Sequence, residues 1–109
     1  PRLNSKTIYK LYQINDQYDG SFSQLKFYNM SPREKSIYAV SLLKEAILEV
    51  IQQNPEGIIN NDIARCLKLE SDFEGSQKNY LSWSILGLLV NEGKVKYKKI
   101  GPRKLYFIV

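Results

Sequence analysis

The chain has 109 residues, 43% hydrophobic and 25% charged, which is enough to build one compact domain, is too short for two, and excludes wholesale disorder. A single cysteine, Cys66, and the absence of histidine exclude an internal disulfide, a Cys/His zinc site and catalysis by a histidine base. No stretch is long and apolar enough to span a bilayer, and no signal-peptide core precedes the domain, so no membrane partner and an intracellular location are expected. Pro1 stands where an initiator methionine would be, so a fused or associated catalytic domain in a longer parent chain is an open expectation.

The net charge of +5 is unevenly distributed along the chain. Between residues 45 and 74, seven acids face two cations, a balance of −5; between residues 78 and 109, seven cations face one acid, a balance of +6. Such a gradient gives an oriented field and predicts an anionic partner for the C-terminal part.

Residues 1–30 read as an N-terminal arm, one candidate route to a homodimer. Lys6 to Ile14 fits a helix about as well as a strand, with a lean to helix; Asn15 to Ser21 has turn composition; Phe22, Leu25, Phe27, Tyr28 and Met30 follow as apolar anchors. The domain itself is expected over residues 31–109. Ser31-Pro32-Arg33-Glu34 is a helix start, combining an N-cap serine, proline at the first helical position and a glutamate placed to close a capping box. Ile37, Val40, Leu43, Ile47, Val50 and Ile51 then recur at helical spacing until Asn54-Pro55 stops them, with Lys44 on the solvent side. Ile58-Ile59 allows a brief β-bridge. Asn60 or Asn61 is expected to cap a short helix over residues 62–69 with Ile63, Ala64, Leu67 and Cys66 inward, and an acidic turn closes the segment at Gly75.

A helix is predicted over residues 76–92, capped by Ser76 and ended by Gly93. Leu81, Ile85, Leu88 and Leu89 form its stripe, widened by Leu86 and Val90, so the back half should be buried and the polar front half outward. From Lys94 the period becomes two. Lys94 to Lys98 and Leu105 to Val109 read as two strands of a hairpin whose turn carries residues 99–104. Six cations and no acid lie between Lys94 and Lys104, so this hairpin must face water or negative charge.

The order of elements, and in particular the residues from Asn54 to Ala64 and from Leu86 to Val95, resembles the winged helix-turn-helix family of DNA-binding domains. The likeness covers residues 31–109. It implies a mainly α fold with a small β-hairpin: a three-helix core, a basic wing and an N-terminal arm. The Tyr80 to Ser84 segment also resembles the winged-helix modules attached to bacterial restriction endonucleases. What the resemblance implies is double-stranded DNA binding, with helix 76–92 in the major groove and wing 94–109 on the phosphates, as the recognition module of a larger restriction or regulatory protein. On that reading Gln77, Asn79 and Ser82 read bases, Lys78 reads guanine or a phosphate, and Lys96, Lys98, Lys99, Arg103 and Lys104 contact the backbone.

Blander readings compete. Lysines on an edge strand often only discourage strand pairing. Trp83 falls away from Leu81 and Ile85 and fits packing against another helix as well as contact with a partner. Glu92-Gly93-Lys94 has the spacing of a nuclease metal site but lacks an upstream aspartate on an adjacent strand; no phosphate-binding glycine loop or nucleophile elbow is present. No enzymatic activity, metal or cofactor is therefore expected of these residues. Two other functions stay open: a winged helix used for protein assembly through Trp83, Val90 and the aromatic arm, and RNA binding.

Overall fold

A computed structural model describes residues 29–73, 76–77 and 79–109; for the strand residues 72, 73, 76 and 77 it describes the backbone only. The expectations for the arm, from Lys6 to Tyr28, lie outside the described residues. The chain divides into two compact units, one ending at Ala39 and the other running from Val40 to Val109. Helix α1 (Pro32–Gln52) carries residues of both.

Its start follows the capping logic. The Ser31 hydroxyl accepts from the Glu34 amide at 3.1 Å, and the Glu34 carboxylate accepts from the Ser31 amide at 2.9 Å, a reciprocal pair that satisfies two of the helix's free amides. At the far end, the Asn54 side chain donates to the Val50 carbonyl at 2.7 Å. The apolar stripe is covered from Val40 onward: Val40 and Leu43 are partly buried and Ile47, Val50 and Ile51 fully, whereas Ile37 is exposed.

The second unit is mixed α/β. In chain order it adds β1 (Ile58–Ile59), α2 (Asn60–Leu67), β2 (Asp72–Phe73), β3 (Ser76–Gln77), α3 (Tyr80–Asn91), β4 (Val95–Ile100) and β5 (Arg103–Ile108). Among the described residues the β structure goes beyond one hairpin. The two residues of β1 pair antiparallel with β5, Ile58 opposite Tyr106 and Ile59 opposite Leu105, giving a three-stranded sheet of order β1-β5-β4. Ile47, Val50 and Ile51 from α1, Ile63 from α2, Ile85, Leu86 and Leu89 from α3, and Val95 and Tyr106 from the sheet make one core. Among the described residues no helix is long and apolar enough to cross a membrane.

Two boundaries and one burial depart from the sequence reading. The acidic stretch before the third helix is no simple turn: Asp72–Phe73 and Ser76–Gln77 pair as a two-stranded ribbon, so α3 starts at Tyr80 and Ser76 is not its cap. The wing turn is tighter than six residues. Strands β4 and β5 pair up to Ile100 opposite Arg103, leaving only Gly101 and Pro102 between them, and Gly101 takes φ +60°, as the first central residue of a type II′ turn requires. Cys66 is exposed because the buried stripe of α2 is Ile63, Ala64 and Leu67, and Cys66 lies about 100° around the helix from its centre.

Helix α3 ends where Gly93 takes φ +76°. The Gly93 amide donates to the Val90 carbonyl and the Lys94 amide to the Leu89 carbonyl, both at 3.0 Å, which is a Schellman closure that turns the chain straight into β4. Glu92 stands beside this closure and accepts from Lys44 of α1 at 2.5 Å, with Lys94 3.7 Å away. Lys44 is thus half-buried in an ion pair rather than free on the solvent side. The Lys44 hydrogen bond outweighs partial desolvation and holds the Glu92 carboxyl below its ordinary value of 4.5.

Two outcomes are expected. At Gly57, φ is +100° and an added Cβ would lie 2.5 Å from the Leu105 side chain and 2.8 Å from the Phe107 ring. Gly57→Ala should therefore cost roughly 2–4 kcal/mol, combining a left-handed penalty with overpacking, as read by urea denaturation. For Glu92, the folded pKa lies below the unfolded one, so its ion pair contributes fully above 4.5 and the contribution is lost as pH falls through the lowered folded value. The melting-temperature gap between the native chain and Glu92→Gln should be present at neutral pH and close on acidification; a gap independent of pH would dismiss the ion pair.

Candidate nucleic-acid interface

The ribbon β2–β3 changes where the expected base-reading residues sit. Gln77 is a strand residue, its side chain outside the description, and Lys78 lies outside the described residues. Asn79 is the residue before α3, with φ 55° and ψ 49°, a left-handed conformation that asparagine tolerates better than most. It is buried, at 5% exposure.

Its polar atoms are all used inside the protein. The Asn79 Nδ2 donates to Asn61 Oδ1 at 2.8 Å, and its Oδ1 accepts from the Ser71 amide at 3.2 Å. Its backbone amide donates to the Ser71 carbonyl at 3.1 Å, and its carbonyl accepts from Asn60 Nδ2 and from the Trp83 amide, each at 3.2 Å. Ser82 is fully buried, and its hydroxyl donates to Asn60 Oδ1 at 2.6 Å. The expectation that Asn79 and Ser82 face outward is therefore corrected: both belong to an amide network that ties the start of α2 to the start of α3. Asn60 and Asn61 do not cap α2 either, since no side-chain hydrogen bond closes that end and their amides reach across to Asn79 and Ser82.

The true buried stripe of α3 is Ser82, Ile85, Leu86 and Leu89. Leu81 and Leu88, expected inside, are exposed, as are Tyr80, Trp83, Ser84 and Gly87. The outward face of this helix is aromatic and apolar rather than amide-rich. Trp83, which the sequence places away from Leu81 and Ile85 and which is not among the expected site residues, is 52% exposed.

On the hairpin, the pairing register places side chains on two faces. Val95 opposite Ile108, Tyr97 opposite Tyr106 and Lys99 opposite Lys104 share the face that begins at the core. Lys96 and Lys98 lie on the other face, opposite Phe107 and Leu105. The Tyr97 and Tyr106 rings stand 6.0 Å apart at 55°, and the Lys104 ammonium lies 4.4 Å from the centre of the Tyr97 ring. Burial, with the neighbouring Tyr97 phenol second, pushes the Tyr106 hydroxyl pKa up, so it stays protonated at any physiological pH.

Among the described residues the ion pairs join Lys44 and Lys94 to Glu92 and Arg65 to Asp62; Lys96, Lys98, Lys99, Arg103 and Lys104 have no acidic partner. Arg103, Lys104, Pro102 and Tyr106 of the hairpin, Ile59, Asn60 and Asn61 at the start of α2, and Trp83 of α3 line an open groove of about 220 Å³. Arg103 and Lys104 thus line the groove with Trp83; by register Arg103, opposite Ile100, belongs to the face of Lys96 and Lys98, and Lys104 to the other. Glu92, engaged by two lysines at the helix end, serves the Schellman corner.

No family model, curated protein or solved structure matches the chain. Function therefore rests on the physics of this surface.

The amide network carries its own expectation. Asn79→Ala should cost roughly 2–4 kcal/mol, from a left-handed alanine and two lost side-chain hydrogen bonds in a buried setting. The check is the denaturation midpoint; an unchanged midpoint would return Asn79 to the surface.

Proposed function

We propose that this chain is a winged helix-turn-helix domain that binds double-stranded DNA, chiefly through the phosphate backbone. The observation that carries the reading is the set of five hairpin cations, Lys96, Lys98, Lys99, Arg103 and Lys104, held at and around a tight turn with no acid to neutralise them among the described residues. A narrow two-stranded projection with cations on both faces and at its tip suits a polyanion whose phosphates line both sides of a groove. The finer reading of the fold is supported by the order of elements and by β1 joining β5, which anchors the hairpin beside α2 and α3.

Sequence readout is reassigned on this reading. With Asn79 and Ser82 consumed by the internal network, Gln77 and Lys78 remain the base-reading candidates. The domain would serve as the DNA-targeting part of a larger restriction or regulatory protein, and the chemistry would belong to a fused or associated catalytic domain.

A second reading has its own observation. Leu81 and Leu88 are one i,i+7 stripe on α3, 43% and 41% exposed, which is a surface suited to protein assembly. Charge reversal on the wing separates the two. Lys99→Glu with Arg103→Glu should weaken binding to every duplex and reduce the slope of log K against log salt by about 2, near the value for two phosphate contacts. The measurement is fluorescence anisotropy of a labelled duplex at several salt concentrations. Native chain that ignores duplex DNA at low salt would overturn the DNA reading in favour of assembly, and equal binding of duplex RNA would broaden the partner class.

A further inference from the structure

We infer that the groove between Trp83 and the wing tip holds one unstacked nucleobase of the bound DNA, an extrahelical base or the frayed base at a strand end. The inference rests on the DNA reading and adds an occupant for a site which phosphate binding alone leaves unexplained.

Three features of the groove converge on that occupant. The first is its size. The groove, of about 220 Å³ and open to solvent, has room for one base. The second is Trp83, which lines the groove and at 52% is the most exposed of the large apolar side chains of α3. An indole face offers stacking, and in a duplex both faces of each base are already covered, so only an unstacked base can use it. The third is the polar lining. Arg103 and Lys104 supply uncompensated positive charge for the phosphate attached to such a base, and Lys104 is steadied over the Tyr97 ring. Asn61 closes the opposite wall: its Oδ1 is occupied by Asn79, which fixes the amide plane, and its Nδ2 donors have no acceptor among the described residues. A donor at that place matches a base carbonyl.

Charge complementarity selects this occupant over a peptide. The groove lining contains two cations and no acid, and an acidic peptide with an aromatic side chain would have to reproduce, in one residue pair, the spacing that a nucleotide carries covalently.

Trp83 is the only tryptophan of the chain, so its emission reports on this groove alone when excited where tyrosine does not absorb. The experiment titrates the full chain with three unlabelled DNA hairpins: one fully paired, one with a single bulged thymine, and one with an abasic residue at the bulge. Binding is followed separately by competition against a labelled duplex. The expected result is that all three bind, that the bulged thymine binds about 5- to 100-fold more tightly than the abasic hairpin, and that it alone quenches Trp83 emission strongly. Trp83→Ala should erase the preference for thymine over the abasic site, and Trp83→Phe should keep most of it; because Trp83 is not a core residue, neither change is expected to unfold the chain. Equal affinity and equal quenching by the thymine and abasic hairpins would overturn the inference while leaving duplex binding intact. Failure of all three hairpins to bind would overturn both.

Discussion

A buried asparagine in a left-handed backbone conformation sets the geometry on which the candidate interface depends. Through its side-chain amide and its own peptide groups, Asn79 contacts Ser71, Asn60, Asn61 and Trp83, so one residue fixes the start of α2, the start of α3 and the chain that arrives between them. Ser82 extends the network by one more bond to Asn60. In a compact helix-turn-helix the angle between the two helices is set by a short turn. Here a two-stranded ribbon separates them, and polar bonds in a low-dielectric setting replace the turn as the constraint. Trp83 stands in the first turn of α3, its amide donating to the Asn79 carbonyl, so the network also fixes where the helix that carries it begins.

What was legible in the sequence was local. The Ser31 capping box, the stop at Asn54-Pro55, the glycine that ends α3 and the alternation of β4 each depend on residues a few positions apart, and each formed as read. The misreadings cluster where partners are distant. Ser76 has the chemistry of an N-cap, yet Ser76–Gln77 pairs with Asp72–Phe73, and strand pairing outcompetes the helix for those two residues. Asn79 and Ser82 resemble surface residues because their partners, Asn60 and Asn61, lie 18 to 22 positions away. The stripe of α3 was misplaced for the same cause: Ser82, Ile85, Leu86 and Leu89 have helical spacing as good as that of Leu81, Ile85, Leu88 and Leu89, and composition favoured the all-apolar choice. The sites on the hairpin were readable as a set of cations, but their division between two faces needed the register with β5.

The charge pattern and the packing are linked. The domain keeps seven of its acids on the segment from Glu45 to Glu74 and pairs the lysines nearest the core, Lys44 and Lys94, with Glu92, so the outer hairpin is left with unopposed charge. A cation over an exposed aromatic ring is steadied by about 0.5–1 kcal/mol without losing its charge. Lys104 over Tyr97 is such a case, an ordered cation still available to an anion.

Strand β4 lies at one border of the sheet, with β5 as its single strand neighbour among the described residues. Its free amide and carbonyl row is a template on which another chain could add a strand, and its lysines are also what discourages that addition. On the proposed reading the same side chains would answer two pressures, attraction of a polyanion and refusal of self-association. Neutral replacements would relax both at once and mix lost binding with fibril or dimer growth, whereas reversed charges keep the border guarded while inverting the field.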